Sequence, residues 1–228
     1  SKLEELIQEL CPDGVEYKTI ESISKVLRGK RLTKKLLLET GEYPVFHGGL
    51  SPLGYYDKSN REANTAMVIN VGASAGTVGF SSVDFWSSDG CYCIEYSPQV
   101  ISRYLYYAIM CQEEQIKSRV RYAGIPTLDA KVVESLVIPV PPLPVQREIV
   151  RILDNFTELT AELTAELTAR KKQYVYYRDS LLTFGDDVPI VKLGDIATDI
   201  YRGSGIKRDE VTEAGIPCVR YGEIYTSY

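Results

Sequence analysis

The sequence predicts an α+β protein in which one globular domain is followed by a long coiled-coil spacer helix and the incomplete start of a second domain. Three observations predict it. Residues 1–142 mix short apolar runs with Gly-rich turns and a few helical stretches; Val145 to Phe184 holds neither proline nor glycine and repeats apolar residues at seven-residue spacing; and the residues after Gly185 resemble the beginning of the chain.

The 228 residues carry 26 Lys and Arg against 31 Asp and Glu, a formal net charge of −5, with 44% hydrophobic and 25% charged residues. That balance supports a packed core and excludes a wholly disordered or collagen-like chain. No window approaches the roughly 18 uncharged apolar residues of a membrane span. The opening SKLEELIQELC also lacks the apolar stretch of a secretory signal, so a soluble, cytoplasmic protein without membrane contact is expected.

Taken in order, Leu3, Leu6, Ile7 and Leu10 mark a short amino-terminal helix. Val68–Val71, Gly76–Phe80, Cys91–Tyr96 and Leu136–Val140 read as strands, and Ser102–Lys117 as a helix with Leu105, Ile109 and Ile116 on its core face. The prolines of Ile138–Pro144 deny donors to any ladder and end the first domain. The five cysteines (Cys11, Cys91, Cys93, Cys111, Cys218) include no paired C-x-x-C motifs, and His47 is the single histidine, so no metal site and no histidine-based catalytic site is expected. Cys91 and Cys93 share one face of a strand and read as small buried thiols. The glycines of VGASAGTVG lack the Lys-Ser or Lys-Thr of a phosphate-binding loop, so no nucleotide cofactor is expected either.

The long helix carries two apolar columns. One contains Ile149, Phe156, Leu163, Arg170, Tyr177 and Phe184; the other contains Leu153, Thr160, Leu167, Tyr174 and Leu181. About 40 residues at 1.5 Å each outrun a domain of this size, so a partner helix must cover the seam. Inside it lies TELTAELTAELTA, Thr157 to Ala169, a strong helix former whose repeat number would act as a ruler. Beyond Gly185, Ile190–Gly203 resembles Glu16–Gly29 and Glu213–Gly222 resembles Thr40–Gly49, so a second copy begins and is expected to be incomplete.

YPVFHGGLSPLGYYD (Tyr43–Asp57), MVINVGASAGTVGF (Met67–Phe80), FWSSDGCYCI (Phe85–Ile94), AGIPTLD (Ala123–Asp129) and VPPLPVQREIVRILD (Val140–Asp154) occur in that order. With the TAEL repeat and the half-length repetition, they make the chain resemble the specificity (S) subunits of type I restriction-modification enzymes. Val145 stands where that family usually has an acidic residue before the glutamine. The resemblance implies two target-recognition domains, each reading half of a split DNA site, joined by antiparallel helices that dock methyltransferase subunits. By that analogy residues 1–142 are a first recognition domain, 143–184 the spacer helix and 188–228 a truncated second domain.

Charge distribution then matters more than the total. Between Ser24 and Leu38 lie Lys25, Arg28, Lys30, Arg31, Lys34 and Lys35 with no acidic residue, a cluster suited to phosphate neutralisation. Arg119, Arg121 and Tyr122, after Lys117, form a second group leading into the turn residues Gly124 and Pro126. In the loop from Phe46 to Asn64, His47, Tyr55, Tyr56, Lys58, Asn60 and Arg61 are candidates for reading bases, while Gly48 and Gly49 let backbone approach phosphate. No methyltransferase motif is present, since VPPLP lacks the amide and the aromatic residue such a motif needs. The expected function is therefore a non-catalytic DNA-recognition subunit, with double-stranded DNA and the methyltransferase and restriction subunits as partners. A homodimer through Ile149, Leu153, Phe156, Leu163, Leu167, Tyr174, Tyr177 and Leu181 would read an inverted repeat. The alternatives are the recognition portion of a fused restriction or methyltransferase enzyme and a coiled-coil adaptor without DNA function.

Overall fold

The computed structural model describes residues 1–205, 207 and 210–212. The chain divides into two compact units, Ser1–Thr168 and Ala169–Tyr228. In the first, helix α1 (Lys2–Leu10) starts in a capping box, where the Ser1 hydroxyl accepts from Glu4 N and the Glu4 carboxylate takes the terminal ammonium. There follow β1 (Tyr17–Thr19), α2 (Ile20–Ile23), β2 (Val26–Arg28), a 3-10 turn (Lys34–Leu36), β3 (Tyr43–Phe46), β4 (Gly54–Tyr56), β5 (Thr65–Ile69), β6 (Val78–Ser81), β7 (Trp86–Ser87) and β8 (Cys91–Ile94). Helices α3 (Ser102–Met110), α4 (Glu113–Ser118) and α5 (Ala130–Glu134) and strand β9 (Val137–Pro139) follow, and the long α6 (Leu143–Leu182) starts in this unit and runs past Thr168 into the second.

Among the described residues three sheets form, in the orders β2-β8-β5-β6, β4-β3-β7 and β1-β9. The four-stranded sheet is covered on both faces, which explains why all four residues of CYCI are buried. Tyr92 and Ile94 face a cluster shared with Leu105, Ile109 and Ile116 of the helical layer. Cys91 and Cys93, one residue out of phase, face Met67, Ile69 and Phe85. The expected buried thiols and helical core face are therefore present. The helix expected over Ser102–Lys117 breaks at Cys111 and Gln112 into α3 and α4, and α4 returns Ile116 to the same core.

Helix α6 starts at Leu143, two residues before the proline-free run, because Pro144 falls in its first turn, where a missing N–H costs nothing. Its base is fixed to the core by Gln146, fully buried, whose Oε1 accepts from Ile101 N at 2.9 Å while Nε2 donates to the carbonyls of Gln99 (2.9 Å) and Pro141 (2.8 Å). Ile149 and Val150 pack half-buried against the main cluster. Glu148, also buried, pairs with Arg151 at 2.6 Å and with Lys2 of α1 at 3.4 Å. Along the TAEL stretch Thr157, Thr160, Thr164 and Thr168 each donate the hydroxyl to the carbonyl four residues back, at 2.7–2.9 Å.

In the second unit, α7 (Leu193–Ile196) lies 173 residues beyond α2 and has the same form, one turn entered from an extended residue, Lys192 as against Thr19. Of the repeat over Ile190–Gly203 this one turn is reproduced. No described strand pairs with residues 190–192, the counterpart of β1, which itself exists only as a ladder with β9. The repeat over Glu213–Gly222 lies outside the described residues. Among the described helices none is long and apolar enough to cross a membrane.

Candidate nucleic-acid interface

Both ends of the basic loop are fastened to the sheets. At its root Gly29 N donates to Cys91 O (3.1 Å), Lys30 N to Ser87 O (2.9 Å) and the Trp86 indole to Lys30 O (2.8 Å). A side chain at Gly29 would run into the Ser87 and Ser88 carbonyl oxygens, so only glycine lets the strand leave here. At the far end Leu38 and Tyr55 exchange both backbone hydrogen bonds at 2.9 Å. The exposed Arg28, Lys30, Arg31, Lys34 and Lys35 are thereby held beside the β3–β4 hairpin carrying Tyr55, Tyr56 and Lys58, where Tyr56 meets Trp86 edge to face at 5.1 Å.

None of these five cations, nor Lys25 or Lys58, forms an ion pair among the described residues. Elsewhere Arg103, Lys117, Lys131 and Arg151 are all paired. Lys25, Arg28, Lys30, Arg31, Lys34 and Lys35 thus make a run of six cations without an ion pair among the described residues.

His47 sits next to this loop, its Nδ1 3.4 Å from Asp89 Oδ1 and its ring beneath Gly90. The Asp89 carbonyl accepts from Arg28 Nε and from Asn70 Nδ2, each at 3.2 Å, which places His47 beside the base of the basic strand. Gly48 lies against the Val71 carbonyl, and the neighbouring Gly72 N donates to Pro126 O at 2.9 Å. That contact joins the hairpin of the second basic group to the Gly48 loop. Arg121 pairs with Thr127 across a short hairpin and sits 3.7 Å from the Asp129 carboxylate, while Arg119 and Tyr122 are exposed.

Two of the residues expected to read bases are used inside the protein. The Asn60 amide is spent on Ser87, donating at 3.0 Å and accepting at 2.7 Å. Arg61 turns inward, donating to the carbonyls of Asn60 (2.7 Å) and Arg28 (3.2 Å). The neighbouring Cys91 thiol first, then Ser87 and the Arg61 charge, pull the Cys93 thiol down against the opposing effect of its burial. No local pattern in the sequence assigns Asp89, Trp86 or Gln146 these roles. Among the described residues no His, Cys, Asp and Glu cluster could hold a metal ion.

Residues 12–170 match the family described as the type I restriction modification DNA specificity domain. The chain belongs to this family. It is an α+β unit continued by a long helix. The S subunit of a type I restriction-modification system from M. genitalium superposes with a TM-score of 0.61 at 26% identity, over 74% of this chain and 47% of that one. The MjaVIII specificity subunit of Methanocaldococcus jannaschii is 24% identical over 93% of this chain and 56% of its own length. The Escherichia coli EcoR124I/EcoR124II specificity subunit is 54% identical over 55 residues, 24% of this chain and 14% of the relative. This type I specificity chain thus spans about half the length of the curated relatives it matches over most of its residues.

Proposed function

We propose that the chain reads DNA sequence for a type I restriction-modification system in the cytoplasm, directing methyltransferase and restriction subunits to their site while performing no chemistry itself. The observation that carries this is the unpaired cation cluster at Arg28–Lys35, fastened at both ends beside the Gly48–Gly49 loop and the Tyr55–Tyr56 hairpin. Cations without carboxylate partners are free to displace phosphate counterions, and the neighbouring polar side chains are of the kind that meet groove edges. Methylation sequencing of cells carrying the chain with its methyltransferase tests the reading. A modified sequence motif that depends on this chain is expected; modification that is unchanged without the chain overturns it.

Helix α6 supports a second part of the reading, that its seam is covered by another copy. Phe156, Leu163, Leu167, Tyr174, Tyr177 and Leu181 are all more than half exposed, which is costly unless a partner shields them. The seam is self-complementary in the antiparallel sense. When Leu163 of one copy faces Leu167 of the other, Phe156 faces Tyr174, Leu153 faces Tyr177, and the two polar positions, Thr160 and Arg170, fall opposite each other. A shift of one heptad either way sets Arg170 against a leucine. Such a pair presents two identical readers, and the modified motif is then an inverted repeat.

A further inference from the structure

The hairpin from Arg121 to Thr127 carries two side chains that neither the core nor the basic loop uses. Arg121 N and Thr127 N donate to each other's carbonyls at 2.9 and 3.0 Å, Gly72 N holds Pro126 O, and Leu128 N donates to Asn70 O at 2.8 Å. Val120 and Leu128, flanking the hairpin, are buried at its root. Gly124, at φ +90°, supplies the left-handed turn. The tip therefore stands on a rigid base, and at the tip Tyr122 and Ile125 are 72% and 71% exposed.

The turn chemistry requires Gly124 and Pro126 but asks nothing apolar of Tyr122 or Ile125. Two exposed side chains bury far too little area for a stable protein interface, which needs on the order of 1,000 Å². They are the right size to enter one base step. The exposed Arg119 and Arg121 flank them; Arg119 forms no ion pair among the described residues, and the Asp129 carboxylate is 3.7 Å from Arg121. Through Gly72 the hairpin is joined to the Gly48 loop.

We propose that Tyr122 and Ile125 form an apolar wedge that inserts into a base step of the recognised duplex and unstacks it, with Arg119 and Arg121 on the adjacent phosphates. The inference rests on the DNA-recognition reading above. Wedges of this kind kink the duplex, so this hairpin selects a deformable step in addition to any base edge it touches.

The test uses the full chain with its methyltransferase and the duplex identified by methylation sequencing, with 2-aminopurine placed at successive positions. One step is expected to brighten severalfold on binding. Tyr122→Ala with Ile125→Ala abolishes that signal and weakens binding about 10-fold at fixed salt, with the salt slope unchanged. Arg121→Ala keeps the signal at saturation and reduces the slope by about 1. Tyr122→Phe, which keeps the ring, retains the signal and guards against misfolding as an explanation. A duplex in which no step brightens, or a double variant that brightens like the wild type, overturns the wedge. So does a double variant that brightens normally yet no longer sediments with the methyltransferase, which makes the tip a protein contact. Failure of the wild-type complex to bind any duplex sinks the recognition reading instead, and the wedge with it.

Discussion

The Arg103 guanidinium on α3 donates to the Asp154 carboxylate on α6 at 2.8 Å while lying over the rings of Phe80, Tyr106 and Tyr107 at 4.7–5.2 Å. Tyr107 donates its hydroxyl to the same Asp154 oxygen at 2.6 Å. One side chain thus couples the sheet, the helical layer and the start of the fourth turn of the spacer helix. With Gln146 and Ile149 it forms a line of attachments that fixes how α6 leaves its own globular unit.

Arg103→Ala removes both the charge pair and the aromatic stacking and leaves Asp154 half-buried with only Tyr107. A loss of about 1–3 kcal/mol is expected by urea denaturation. Arg103→Lys, which cannot stack flat, recovers less than half of it.

Gln146→Leu is nearly isosteric yet leaves Ile101 N and the Gln99 and Pro141 carbonyls unpaired in a dry site. A loss of about 2–3 kcal/mol is expected in the same measurement. A neutral result refutes the assignment of Gln146 as the clamp at the base of α6.

Acid should loosen the contact between α1 and α6. Hydrogen bonds from Arg151 outweigh the opposing effect of burial and, with Lys2, hold the Glu148 carboxyl down to about 2, against a usual value of 4.5. Its value in the fold is depressed, so its stabilisation is complete above the unfolded value and is lost as pH falls from about 4.5 towards 2. Glu148→Gln should lower stability at neutral pH and flatten its decline across that window, as followed by thermal melts.

Residues of the basic loop should separate cleanly from those beneath it. Lys34→Ala and Lys35→Ala leave the melting temperature unchanged and each reduces the salt slope of DNA binding by about 0.9 if it contacts a phosphate. Arg61→Ala instead lowers stability, because its guanidinium satisfies two carbonyls inside the protein.

The proposed seam register predicts a cross-link. Leu163→Cys with Leu167→Cys should give a covalent dimer under mild oxidation, since two cysteines one turn apart on a helix are too far separated to bridge within one chain. Leu163→Glu should leave a monomer by sedimentation at micromolar concentration. A wild-type chain that is monomeric there removes the second copy from the account.

The sequence by itself determined whatever is written in local periodicity and composition. Freedom from proline and glycine and the seven-residue spacing located α6 to within two residues at each end, and the 3.6-residue spacing placed Leu105, Ile109 and Ile116 in the core. Alternation in CYCI put both thiols on one face, and the run of cations without an acid between them marked the basic loop. Only the tertiary structure decided how the strands pair, for β3 lies parallel to β7 and β2 pairs with β8 across long stretches of intervening chain. It also decided the fates of Asn60, Arg61 and Gln146. Their partners are as far as 27, 33 and 47 residues away. A buried polar side chain is chosen by the unpaired backbone groups it must satisfy, and those groups meet only after distant segments have packed, so no local pattern announces them.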